Sequence, residues 1–196
     1  VVLLALPTGY ILGLVLALLR LYGSRVVSGL VRAYGVFMRG VPPVTLLFLI
    51  FFSAAGLVSI SPFMAGVVGL AMISSSYHLE VLRGAIQAVE PGQETAARAI
   101  GLSRFGAIRY IILPQALRLA IPAWTSVIAQ LIKDSSVVYA LGVAELLRRS
   151  QLIAARTYRP LFAYSLAAVI YFLMTFISSR ILDVLEERLR IPVLVE

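Results

Sequence analysis

Residues 91–114, PGQETAARAIGLSRFGAIRYIILP, form a polar stretch between two long apolar runs, and the interpretation of the whole chain depends on them. A Pro-Gly pair opens the stretch. Residues 93–99 are good helix formers, and Glu94 lies in the first turn, where the helix dipole favours an acid. Gly101 can adopt the left-handed conformation that ends a helix, and Ser103 can cap the next helix. A short exposed helix of this kind, placed between membrane spans, is suited to docking into a groove of a partner protein.

The composition is that of a membrane protein. Of the 196 residues, 61% are apolar and 13% are charged, whereas soluble domains are about half apolar and about a quarter charged. The net charge of +8 comes from arginines that flank apolar runs, where they set topology and meet anionic membrane lipid, so no nucleic-acid partner is expected. The absence of cysteine excludes disulfides, and a single histidine excludes a histidine-rich metal site. Because Val1 lies inside an apolar run, we expect the native start of the protein to be missing.

Apolar runs predict about five membrane spans. They cover residues 1–19, 44–58, 63–82, 110–139 and 161–181. We therefore expect an all-α polytopic membrane protein that folds as one domain over residues 1–196, with a cytoplasmic coupling helix at about residues 93–101. Two prolines should break the fourth span, and the arginine distribution places the N-terminus outside. The loop at residues 143–160 departs from this distribution, because its four arginines would lie outside; it is predicted to be an amphipathic helix.

The fourth span contains the most informative ionisable pair, Lys133 and Asp134. Charged groups within an apolar run are costly, and they usually face a cavity, a partner or water. Asp134 could bind a positively charged group of a ligand, and Gln130, Ser135 or Ser136 could donate hydrogen bonds to an acidic group beside it. Equally, the two charges could neutralise each other or lie at the outer interface.

Other polar residues of the spans favour structural roles. Glu80 and Arg83 could pair one turn apart at the end of the third span. His78 is more simply a structural hydrogen-bonding residue than a proton relay. Residues 74–76, a run of three serines, allow close contact between helices, whereas the glycines at 23, 29 and 35 have no spacing typical of such contact.

The polar stretch also carries a family resemblance. The order Gly92-Gln93, Ala96-Ala97, Gly101 and Ile112-Leu113-Pro114 resembles the EAA loop of ABC importer permeases. The flanking segments SYHLEVLRGAIQAVEPGQ and PQALRLAIPAW…LIKDSSVV resemble the polar amino-acid group, which handles histidine, glutamine and arginine. The resemblance extends from about residue 37 to residue 189. It departs from the family at Thr95, where the family has glutamate; Glu94 lies one position earlier.

The resemblance implies the ABC importer type I permease fold, located in the prokaryotic cell (inner) membrane. Two such subunits would form the pathway, as a homodimer or with a similar paralogue, and an extracytoplasmic binding protein would deliver a polar amino acid. A separate ABC ATPase subunit would bind ATP and Mg, since this chain has no phosphate-binding loop and no cofactor of its own. The implied ATPase-coupling residues are Gly92, Gln93, Glu94, Thr95, Ala96, Ala97, Arg98 and Gly101. We expect Ala97→Trp to prevent docking while leaving the fold intact.

The substrate site implied by the resemblance lies on the fourth span. Candidate residues are Ser126, Gln130, Asp134 and Ser135. The family has an Asn-Glu pair near the middle of this helix, and Ser126-Val127 stand there in this chain. Either a partner subunit supplies the charge, or the substrate is neutral or polar, or this subunit has no deep site.

A stand-alone secondary transporter or channel is the alternative function. Broken helices and charge within the membrane suit that class too. The short chain, the lack of a visible inverted repeat and the docking helix argue against it.

Overall fold

The computed structural model describes residues 1–55 and 60–189, and each regular element in them is helical. The helices are α1 (Val2–Tyr22), α2 (Arg25–Gly40), α3 (Pro43–Ala55), α4 (Pro62–Ala88), α5 (Gly92–Ala99), α6 (Arg104–Ala107), α7 (Leu113–Asp134), α8 (Leu146–Thr157) and α9 (Pro160–Leu189). A π-helical turn, Ile108–Ile112, joins α6 to α7, and a 3-10 segment, Ser135–Leu141, follows α7.

Four of these stretches are long and apolar enough to cross a membrane: Val2–Tyr22, Pro62–Ala88, Arg104–Leu141 and Pro160–Arg188. A fifth span results if α2 and the first part of α3, which meet at an angle of 112°, are counted together. The prediction of an all-α polytopic membrane protein is thus confirmed. The predicted second span at residues 44–58 corresponds to α3, and its last residues, 56–58, lie outside the described residues. The described part of α3 is about 20 Å long, which is less than a membrane crossing requires.

The fourth predicted span contains changes of helix type. Pro114 directly follows the π-helical turn. Proline has no N–H for the carbonyl four residues earlier, and the altered hydrogen-bond register before Pro114 accommodates that loss. Pro122 lies inside α7, which continues through it to Asp134, so the expected break at this proline is wrong. The 3-10 segment then ends at Gly142, whose φ of 85° is left-handed.

A stripe of small residues allows α1 to pack very closely on α4. The four buried residues of α1 are Ala5, Gly9, Gly13 and Ala17. A Cβ atom built on Gly9 would lie 2.9 Å from the carbonyl oxygen of Ala71, and one on Gly13 would lie 2.9 Å from that of Ser75. The two backbones therefore touch directly, as small residues at intervals of four permit in membranes. Sequence analysis missed this stripe, although its regular spacing is visible in the sequence.

The serine run on α4 has the role predicted for it. Ser74, Ser75 and Ser76 are all buried. The Ser75 hydroxyl lies 2.7 Å from the Tyr34 hydroxyl on α2 and donates to the Met72 carbonyl at 2.7 Å. His78 is also buried, and its ring meets that of Tyr10 edge-on at 5.6 Å. The imidazole is therefore packed in the core between α1 and α4, but neither ring nitrogen has a hydrogen-bond partner among the described residues, contrary to the hydrogen-bonding role expected for it.

A four-residue ion cluster joins α1, α2 and α4. Arg83 donates to Glu80 at 2.8 Å, which confirms the predicted pair. Glu80 also binds Arg20 of α1, and it accepts from Arg39 of α2 at 3.1 Å. One carboxylate therefore holds three guanidinium groups from three helices. Their side chains are only 18–30% exposed, so water screens the cluster incompletely.

Candidate coupling and translocation sites

Helix α5 connects the C-terminal end of α4 to the start of the next span, and its ends follow the predicted pattern. Gly101 has a left-handed φ of 93°, and its N–H donates to the Arg98 carbonyl at 3.1 Å. The Ser103 hydroxyl accepts from the Gly106 N–H at 3.1 Å and caps α6. Helix α5 itself ends at Ala99, two residues before the predicted limit, because Gly101 reverses the chain.

Three contacts fix α5 to the rest of the subunit. Ala97 is 3% exposed and packs inward. Gln115, just after the π-helical turn, donates to the side-chain oxygen of Gln93 at 3.5 Å. Arg104 lies 3.9 Å from the Glu94 carboxylate, and its guanidinium stacks 5.4 Å from the ring centre of Tyr22 at the end of α1. Helix α5 is thus connected to α1 as well as to the following span.

The outer face of α5 is small and polar. Its exposed residues are Gly92, Thr95, Ala96, Arg98 and Ala99. Two exposed apolar side chains follow on the same segment, Ile100 at 81% and Phe105 at 69%. Sequence analysis did not single out these two residues, although apolar side chains in a polar stretch are a signal for a partner surface.

One expectation for α5 is wrong. Ala97 was predicted to be exposed, so that Ala97→Trp would leave the fold intact. The residue is buried, and a tryptophan there would push α5 away from its support. The burial of Ala97 but not Ala96 depends on what packs beneath α5, which the helix pattern alone does not give.

The carboxylate of Glu94 does not replace the glutamate that the family has at position 95. Glu94 is directed toward Arg104 of the same chain, whereas Thr95 is exposed on the outer face. The outer face of α5 therefore presents a hydroxyl at position 95 in place of a carboxylate.

The candidate substrate residues occupy one face of α7 and the start of the 3-10 segment. Gln130 donates to the Asp134 carboxylate at 2.8 Å, so the structure brings these two side chains together. Ser126 lies one turn before Gln130 and is exposed. The Ser135 hydroxyl donates to the Ile132 carbonyl at 2.6 Å. Val127, at the position of the family glutamate, is 7% exposed and belongs to the core.

Lys133 and Asp134 face different surroundings. Lys133 is exposed and Asp134 is half-buried. Among the described residues, the polar contact of the Asp134 carboxylate is the amide of Gln130, and no ion pair within 4.0 Å joins it to Lys133. The Asp134–Gln130 pair therefore offers a polar group on a helix face that this subunit leaves partly uncovered.

Residues 9–191 match the family described as the inner membrane component of binding-protein-dependent transport systems, and the chain belongs to this family. The glutamine transport system permease protein GlnP of Escherichia coli K12 is 37% identical over 191 residues, covering 96% of this chain and 87% of that protein. The octopine transport system permease protein OccQ of Agrobacterium tumefaciens is 31% identical over 198 residues, covering 92% of this chain and 84% of the relative.

Solved structures agree with this assignment. A crystal structure of an amino acid ABC transporter with histidines superimposes with a TM-score of 0.86 at 36% identity, covering 95% of this chain and 88% of the other. The inward-facing MetNI methionine ABC transporter gives a TM-score of 0.75 at 21% identity, covering 93% and 90%, and supports the fold alone. The chain is therefore the membrane-spanning permease subunit of an ABC importer, and the comparisons do not favour a stand-alone secondary transporter or channel.

Proposed function

We propose that this permease subunit forms half of the pathway of a polar amino-acid importer in the inner membrane of a prokaryote. A second copy or a similar paralogue supplies the other half, and membrane lipid surrounds both. A separate ATPase, which holds ATP and Mg, docks on α5. The family name implies an extracytoplasmic binding protein that delivers the substrate.

The observation that carries the coupling role is the contrast between the two faces of α5. Its inner face is fixed through Ala97, Gln93 and the Glu94–Arg104 pair. Its outer face consists of small side chains that allow another backbone to come close. When the ATPase subunits close on ATP, movement of α5 is passed to α1 through Tyr22 and to α7 through Gln115. Coupling then requires that the contacts of α5 differ between the two ATPase states.

Ala96→Trp tests the docking face. A tryptophan at this exposed position should block close approach of the ATPase without disturbing the packing beneath α5. We expect ATPase affinity to fall by about tenfold or more, since loss of a central contact costs about 2 kcal/mol. Co-purification of the ATPase with the detergent-solubilised permease measures the effect.

Ala155→Trp is the matched control, because Ala155 is an exposed alanine on α8, away from α5. It should retain the ATPase. Equal retention of the ATPase by both variants would show that α5 is not the docking helix.

The substrate is proposed to be a neutral polar amino acid, with glutamine as the first candidate. Asp134 can hold the ammonium group, and Gln130 and Ser126 can donate to or accept from polar groups along the same face. Val127 offers no carboxylate for a cationic side chain. Relatives named for glutamine transport support this choice.

Asp134→Asn tests the substrate site. The substitution keeps the size of the side chain and removes its charge. We expect uptake to fall by roughly 10–100-fold, since a hydrogen bond to a charged group contributes about 1.5–3 kcal/mol. ATPase co-purification should not change. The control, Lys133→Gln, removes the neighbouring exposed charge. If both variants take up substrate as the wild type does, Asp134 has a structural role.

The function as a whole is tested by reconstituting the permease with its ATPase and binding protein in lipid. ATP hydrolysis is then measured with a panel of amino acids, including glutamine, histidine and arginine. Stimulation by glutamine but not by arginine supports the proposal. Stimulation by arginine alone would contradict the assignment of a neutral substrate.

A further inference from the structure

The corner between α8 and α9 lies at the end of the subunit opposite α5. The Tyr171 hydroxyl donates to the Glu145 carboxylate at 2.8 Å, about three turns into α9, so α8 runs back along the first part of α9. The same carboxylate accepts from the N–H groups of Leu147 and Arg148 at 2.7 and 2.6 Å. The base of this helical hairpin is therefore firmly held, and its corner at residues 158–160 is free.

The position of the hairpin follows from its neighbours. It comes directly after the 3-10 segment, where Val138 packs on Gly66 near the start of α4. Helix α4 runs from there to α5 at its other end. In the topology predicted from arginine distribution, the hairpin lies outside the cell.

The corner carries an exposed aromatic side chain on an unusual backbone. Tyr158 has a φ of 54°, in the left-handed region that side chains other than glycine rarely adopt. Its side chain is 89% exposed, and that of Leu161 is 82% exposed. Glycine would adopt this backbone conformation more easily, and the exposed tyrosine side chain gains no burial that would offset the strain. Arg156 and Arg159, also exposed, flank it. Tyrosine and arginine are the residue types enriched at binding hot spots.

The charge of the hairpin is positive and concentrated. Its four arginines are Arg148, Arg149, Arg156 and Arg159. Glu145 is already engaged by Tyr171 and the N-terminus of α8. The other described segments near this end include residues 1–8 and 60–66, which contain no charged side chain, and the end of α7, which carries Lys133 and Asp134 next to the 3-10 segment. The usual distribution places arginines on the cytoplasmic side of the membrane. A specific partner outside would explain why this hairpin carries arginines.

We propose that Arg156, Tyr158 and Arg159 form the docking point for an acidic patch on the extracytoplasmic binding protein. The inference rests on the proposed function, in which such a protein delivers the substrate. Arg156 and Arg159 guide the approach and set the orientation, as charges at an interface rim do. Tyr158 provides the apolar anchor between them. The exposure of the corner leaves the arginines within reach of a partner that approaches from outside.

The experiment uses the complete permease–ATPase complex in nanodiscs that contain phosphatidylcholine and phosphatidylglycerol, with its binding protein. Affinity for the binding protein is measured at low and high salt. The double variant R156E/R159E should weaken binding by more than about tenfold at low salt and remove most of the salt dependence. The control R25E/R32E reverses two exposed arginines on α2 and should bind as the wild type does.

Tyr158→Gly separates docking from structural roles. Glycine suits the left-handed backbone, so the variant should be at least as thermostable as the wild type while binding about tenfold more weakly. If both corner variants bind the binding protein as tightly as the wild type does, the proposal is wrong. If the dependence of ATP hydrolysis on phosphatidylglycerol content then differs from that of the wild type, the corner binds lipid instead. Failure of the proposed function is distinguishable, because the wild-type complex would then show no response of ATP hydrolysis to its loaded binding protein.

Discussion

Glu80→Gln is expected to lower the stability of the permease by on the order of 2 kcal/mol, less than the loss seen when one partner of a fully buried ion pair is removed, because the side chains of the cluster are 18–30% exposed. Glutamine has no charge, so the guanidinium groups of Arg20, Arg39 and Arg83 would face one another in a region that water screens poorly. Helices α1, α2 and α4 would lose their common link. A thermal unfolding scan of the purified subunit should show a midpoint lower by roughly 5–10 °C.

Two comparisons make that result specific. Arg83→Gln removes a contact within α4 alone and should cost only about 0.5–1 kcal/mol. Glu187→Gln removes an exposed acid near the end of α9 and should leave the midpoint unchanged. If Glu80→Gln and Glu187→Gln unfold at the same temperature, the ion cluster contributes nothing to stability.

Gly13→Leu is expected to separate α1 from α4 at a cost of about 2 kcal/mol or more. The new Cβ atom alone would lie 2.9 Å from the Ser75 carbonyl oxygen and 3.1 Å from the Leu79 nitrogen. Both are backbone atoms of α4, which cannot rotate away as a side chain can. The amount of monodisperse protein recovered from detergent and its unfolding midpoint should both fall.

Gly29→Leu is the matched control for this substitution. Gly29 is also within a helix, but a Cβ atom there meets nothing within 4 Å. The control should therefore behave nearly as the wild type. Equal recovery and equal midpoints for both variants would show that α1 and α4 can separate without cost.

The sequence was most informative where structure depends on neighbouring residues. The end of α5 at Gly101 and the cap at Ser103 follow from local backbone preferences, and both were predicted. The Glu80–Arg83 pair was predicted for the same reason, since one helical turn separates the two residues. Gln130 was also named among the residues that could act with Asp134, and the structure brings the two side chains together.

The features that were missed depend on which helices meet. Arg20 and Arg39 reach Glu80 from other helices, and no pattern within α4 indicates them. The burial of Ala97 likewise depends on the packing of α5 against α6 and the π-helical turn, and the stacking of Arg104 on Tyr22 depends on where α1 ends. The sequence predicts correctly that α3 is apolar. That α3 counts as a crossing only together with α2 follows from the 112° bend between the two helices, which the sequence pattern does not show.

The support beneath α5 has an entropic consequence for assembly. A segment that becomes ordered only on binding loses conformational freedom at that moment, and the loss weakens the complex. Helix α5 is already ordered in the single chain through Gln93, Arg104 and Ala97. In the proposed complex, the ATPase would therefore meet a surface that is already formed, and little of its binding free energy would be consumed in ordering that surface. A displacement of α5 would then be passed to the spans through these contacts, with little of it lost in a flexible connection.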